Sequence, residues 1–136
     1  MIIHIKIVGF ILIILALVHI IFPKYFEWKN DLSALSLINR QMMYVHTFFI
    51  ALMVLLMGLI SITSATELTN TSLGKKVSSG LAVFWSFRFI IQFFGYSSAL
   101  WKGKRFETTI HIVFAFLWLY ISWVYWYAWW VNNAHI

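Results

Sequence analysis

The chain has 136 residues, 62% of them apolar and only 10% charged, with no cysteine and a formal net charge of +6. Soluble domains carry about a quarter charged residues, and one this small has too much surface to hide so much apolar side chain, so an ordinary soluble fold is excluded and lipid is the solvent. Without cysteine there can be no disulfide, thiolate zinc site, iron–sulfur cluster or covalently attached haem.

Four apolar runs follow one another, over approximately residues 2–22, 42–62, 77–96 and 110–131. Each is about twenty residues long, enough to cross about 30 Å of hydrocarbon as a helix. Strands would need shorter segments of alternating polarity and a closed barrel. The sequence therefore predicts an all-α integral membrane protein, an antiparallel bundle of four transmembrane helices forming a single membrane domain over 1–136.

The first run has apolar residues before Lys6 and no small-residue cleavage site at its end, which reads as a retained span and not a secretory signal. Gly9, Leu12, Ala16 and His19 fall on one stripe of it, and the small residues there predict close approach of a neighbouring helix. Pro23 has no amide to give the His19 carbonyl, so the helix should bend or end there. The connection 23–41 mixes Tyr25, Phe26, Trp28, Leu32, Leu35 and Ile38 with polar residues and places Asp31 as an N-cap, which predicts a short interfacial helix between spans one and two.

On span two, His46 shares a face with Asn39, Met43, Ile50, Met53 and Met57. The connection 63–76, rich in Ser, Thr and Asn around Gly74, reads as a solvated loop. Span three carries Arg88 and Gln92 one turn apart, with Gly95 on the same side. After the connection 97–109, span four places Glu107 one turn before His111, where a carboxylate could orient the imidazole, and Ala115, Trp118 and Ser122 continue that face. Trp123, Tyr125, Trp126, Tyr127, Trp129 and Trp130 form an aromatic belt suited to a membrane interface. His4 and His135, at the chain ends, receive no weight.

Basic residues set orientation, because positively charged loops resist translocation. Lys24, Lys29, Arg40, Lys102, Lys104 and Arg105 lie in the first and third connections, against Lys6, Lys75 and Lys76 on the other side. Both termini are then expected outside, in a bacterial inner membrane. The positive charge, spread over short loops, points to anionic lipid headgroups and not to nucleic acid.

Ionisable groups inside spans cost a few kcal/mol each at about the bilayer centre, so their positions carry information. Alternating span direction brings His19, His46, Arg88, Gln92 and His111 toward the side of connections one and three, with Arg40 and Tyr44 at the rim. Three functional readings follow. Two histidines on different helices, His46 and His111 first and His19 third, could be axial ligands of b-type haem or proton carriers, with Arg88, Arg40 or Lys104 neutralising the propionates, an arrangement that resembles membrane b-type cytochromes in general form but shares no longer motif with them. His19, His46 and His111 could together bind zinc, or copper with Met43 or Met53 added. Arg88 with Gln92 or a histidine could hold a quinone-like redox partner, an anion or a lipid headgroup.

The alternative is that these groups only fix helix packing in a non-catalytic accessory or structural subunit of a larger membrane complex, or in a homo-oligomer. Nucleotide-binding, zincin and nucleophile-elbow motifs are all missing. Only Glu27, Asp31, Glu67 and Glu107 are acidic, too few for a di-iron carboxylate bundle. The sequence therefore assigns no reaction.

Overall fold

The structure, a computed structural model, describes residues 1–94 and 105–135. Among these there is no strand, and four helices are long and apolar enough to cross a membrane. In chain order the elements are α1 (Ile2–Tyr25), α2 (Trp28–Asp31), a 3-10 turn (Leu32–Ala34), α3 (Leu37–Thr63), α4 (Ala65–Asn70), α5 (Ser72–Phe94) and α6 (Arg105–His135). The chain divides into two compact units, one formed by Lys6–Ser64 and the other by Met1–Ile5 with Ala65–Ile136. Gly95, Trp101, Lys102 and Lys104, together with most of the expected third connection, lie outside the described residues.

In the first unit, α1 and α3 meet glycine to glycine. A Cβ on Gly58 would stand 2.8 Å from the Gly9 carbonyl oxygen, and one on Gly9 would stand 2.8 Å from the Gly58 oxygen. Two backbones approach this closely only where neither has a side chain, and lipid-embedded helices gain from that contact through dispersion. Gly9, Leu12 and Ala16 are buried, as the small-residue stripe predicts. The packing face of α3 is Val54, Met57, Gly58 and Ser61, whose spacing is that of one helical stripe.

Two local expectations are corrected here. Helix α1 does not end at Pro23 but runs two residues further, to Tyr25. The proline falls in the last turn, so it forfeits the hydrogen bond to the His19 carbonyl near an end that can relax. Asp31 precedes the 3-10 turn but makes no capping hydrogen bond. Ser36 caps α3 instead, its side chain accepting from the Asn39 amide. Between α1 and α2 the chain turns through Glu27, whose φ of 54° is left-handed. That turn sets the buried Trp28 edge-on to Tyr44 at 5.5 Å.

In the second unit, α5 and α6 pack along their length with α4 against both. The connection 63–76 is helical, not a loop: α4 occupies its middle and α5 begins at Ser72. Its hydroxyls are used locally, Thr63 donating to the Leu59 carbonyl at 2.7 Å and Thr71 to that of Glu67 at 2.7 Å. Thr71 also caps α5 by accepting from the Gly74 amide at 2.9 Å. Gly74 is required there, because a Cβ would overlap the Glu67 carbonyl oxygen. Most large apolar side chains remain exposed, among them Phe10, Ile14 and Leu17 on α1, Phe48 and Phe49 on α3, and Phe116 and Trp130 on α6. Helices this apolar on their outer faces are suited to lipid contact. The C-terminal aromatic cluster is not all surface, since Tyr125 is fully buried while Trp123, Trp126, Tyr127 and Trp130 are exposed.

Candidate functional site

The residues singled out in the sequence divide between the units: His19, Arg40 and His46 lie in the first, and Arg88, Gln92 and His111 in the second. In the second unit the structure joins all three of its members. Gln92, on the inner face of α5 and 6% exposed, is the hub. Its Oε1 accepts from Nη1 of Arg88 one turn back at 3.3 Å and from the indole Nε1 of Trp118 on α6 at 3.2 Å. Its Nε2 lies 2.9 Å from Nδ1 of His111.

The chemistry of the amide fixes the direction of each bond. Two donors point at Oε1, so the opposite end must be the NH2 group, which can only donate. His111 Nδ1 is therefore an acceptor, and its ring proton sits on Nε2. Around this hub the Arg88 guanidinium lies 4.8 Å from the centre of the Trp118 ring. Trp85 stacks on Trp118 at 5.3 Å and Phe114 at 5.5 Å, while Phe93 meets His111 edge-on at 5.7 Å. The charge is thus held against an aromatic face, where cation–π attraction is worth about 0.5–2 kcal/mol. Glu107 is exposed, and among the described residues the Nδ1 partner of His111 is Gln92, not that carboxylate.

In the first unit the two histidines differ. Nδ1 of His19 is 2.6 Å from the Leu15 carbonyl oxygen, an atom that can only accept, so Nδ1 carries the proton and Nε2 keeps its lone pair. His19 borders a half-open cleft of about 210 Å3 with Ile20 and Pro23 of α1 and Tyr44, Thr47, Phe48 and Ala51 of α3. His46 is not part of that cleft lining. It is exposed, as are Asn39, Met43, Ile50 and Met53 of its stripe, and only Met57 is buried. Among the described residues no three His, Asp or Glu side chains gather as a metal site.

Three polar arrangements escape the sequence reading. Trp118 is an indole donor as well as a packing residue, and the only sign of it is its position two turns beyond His111 on one stripe. Asn132, fully buried near the end of α6, donates to the carbonyls of Leu68 at 2.9 Å and Thr71 at 2.8 Å, clasping α4 and the α5 cap. Ser78 on α5 reaches the same Leu68 oxygen at 3.1 Å. His4, given no weight, has Nδ1 2.9 Å from the Tyr120 hydroxyl and an edge-on contact with Trp123. Comparison with protein-family models, curated proteins and solved structures finds no match to this chain.

Proposed function

We propose that this chain is a non-catalytic membrane subunit of a larger assembly, in which intramembrane polar residues of the second unit act as interhelical latches. The observation that carries this reading is Gln92, whose Oε1 accepts from Arg88 and Trp118 and whose Nε2 donates to His111, all in the same unit. Both acceptor positions of the amide and one of its two N–H donors go to side chains of this unit, and two of these three bonds join α5 to α6. Asn132, through its Nδ2, and the Trp126 to Ser86 bond of 2.9 Å add further links between helices of this unit. The proposal includes the antiparallel four-helix bundle with α2 at the interface, both termini outside a bacterial inner membrane, and a partner that is another membrane subunit or a second copy. Lipid-facing apolar residues and the surplus of basic residues in connections one and three support it.

A second reading, in which the chain holds b-type haem or a quinone-like redox partner, is favoured by one observation. His19 donates Nδ1–H to a backbone carbonyl, the way metal-ligating imidazoles are usually oriented. Expression with haem supply and purification in detergent separates the two. The latch reading expects no Soret band, no metal above background, and reduced stability alone in Gln92→Leu and Arg88→Ala. A Soret band or a bound metal that disappears in His19→Ala or His111→Ala replaces it by the redox reading.

A further inference from the structure

The latch reading makes no use of the cleft between α1 and α3, and that cleft has the form of a small ligand site. Its polar equipment is narrow. The Nδ1–H of His19 is committed to Leu15 at 2.6 Å, so what the ring offers is the acceptor at Nε2. Pro23, on the same wall, denies the His19 carbonyl its helical amide partner and leaves a second acceptor on that residue. Apart from the hydroxyl-bearing Tyr44 and Thr47, the remaining lining, Ile20, Phe48 and Ala51, is apolar. One wall is braced, since Tyr44 carries Trp28 against its ring at 5.5 Å.

A site that offers an acceptor and two hydroxyls inside an apolar wall suits an apolar molecule with one small group that both donates and accepts, as a hydroxyl does. Size narrows the class further. An apolar cavity of about 150 Å3 accepts a benzene molecule, so 210 Å3 accommodates one ring with a short substituent. Cofactor and drug pockets occupy about 300–1,000 Å3, so this cleft is at the small end of ligand sites. Because the cleft is half-open, a longer tail on the ring can leave it.

We propose that the α1–α3 cleft binds a lipid-soluble phenol, a single hydroxylated ring on an alkyl tail, whose hydroxyl donates to Nε2 of His19. The proposal goes beyond the latch reading and does not depend on it, since it involves only the first unit.

The test uses the full chain, labelled with 15N-histidine, in nanodiscs of phosphatidylcholine and phosphatidylglycerol. It is titrated with 4-hexylphenol and, in parallel, with hexylbenzene, which has the same body and no hydroxyl. The expected result is a saturable shift of the His19 Nε2 resonance with the phenol and none with the hydrocarbon. Ala51→Phe fills the cleft without touching His19 and should weaken the phenol response at least about tenfold. Ala51→Leu, a smaller plug that keeps the test open if the phenylalanine disturbs folding, should give an intermediate loss. A shift that never saturates, that hexylbenzene reproduces, or that both plugged variants retain at full strength is bilayer partitioning and overturns the proposal.

Discussion

Replacing Gln92 by leucine is the perturbation that separates a latch from an incidental contact. The substitution keeps helix propensity and similar bulk but removes both bonds that cross from α5 to α6, at 2.9 Å to His111 and 3.2 Å to Trp118. Side-chain hydrogen bonds between membrane helices average about 0.6 kcal/mol and reach about 1.7 kcal/mol. Stranding a buried donor adds about 1 kcal/mol or more, so the expected loss is about 2 kcal/mol, within a range of about 1 to 3 kcal/mol. Titration from mild detergent into SDS, followed by far-ultraviolet circular dichroism, measures it. The pairwise part comes from a double-mutant cycle with Trp118→Phe, which preserves the ring stack but deletes the indole N–H. A coupling energy of about 0.5–1.5 kcal/mol is expected. Additive single effects, with coupling below about 0.3 kcal/mol, would refute the reasoning, because the two side chains would then not share a bond.

Other substitutions probe the remaining contacts. Gly58→Ala pushes a Cβ to 2.8 Å from the Gly9 oxygen and should cost about 1–3 kcal/mol in the same titration. Gly80→Ala is its control, for nothing lies within 4 Å of the new Cβ, and helix propensity should make it stabilising by about 0.5–1 kcal/mol. Asn132→Leu removes both donors that clasp the Leu68 and Thr71 carbonyls and should destabilise by about 1–2 kcal/mol, with faster amide exchange in α4. Glu27→Gly relieves a left-handed residue and should stabilise by about 0.5–1 kcal/mol after the greater freedom of glycine in the unfolded chain is counted, whereas Glu27→Val should do the reverse.

The spans were legible because a bilayer imposes a length on any helix that crosses it, and runs of that length leave few other readings. The α1 stripe of Gly9, Leu12 and Ala16 was legible for a related reason: among apolar side chains, small ones mark where backbones meet. The same rule applied to α3 selects Gly58 and Ser61, whereas the ionisable His46 marks a neighbouring stripe that shares only Met57 with the packed face. When a helix is apolar all round, periodicity tells which residues share a side without telling which side has a neighbour. The connection 63–76 misleads because Thr63, Thr69 and Thr71 satisfy their hydroxyls on carbonyls of their own helical turns, so polarity there does not require water or a loop. The pairing of Arg88 with Gln92 was visible as a one-turn spacing. The indole of Trp118 and the amide of Asn132 were not, because their partners lie 26 and 64 residues away and no local pattern records them.

The two helix pairs assign opposite tautomers to their histidines: Nδ1–H for His19, which faces a carbonyl, and Nε2–H for His111, which faces an amide NH2. Ring 15N spectra of the histidine-labelled chain in nanodiscs, assigned through His19→Phe and His111→Asn, read this directly. The account predicts a pyrrole-type Nδ1 in His19 and a pyridine-type Nδ1 in His111, the latter switching to pyrrole type in Gln92→Glu. A pyrrole-type Nδ1 in wild-type His111 would contradict it, since one orientation of the Gln92 amide could not then bond His111, Trp118 and Arg88 together.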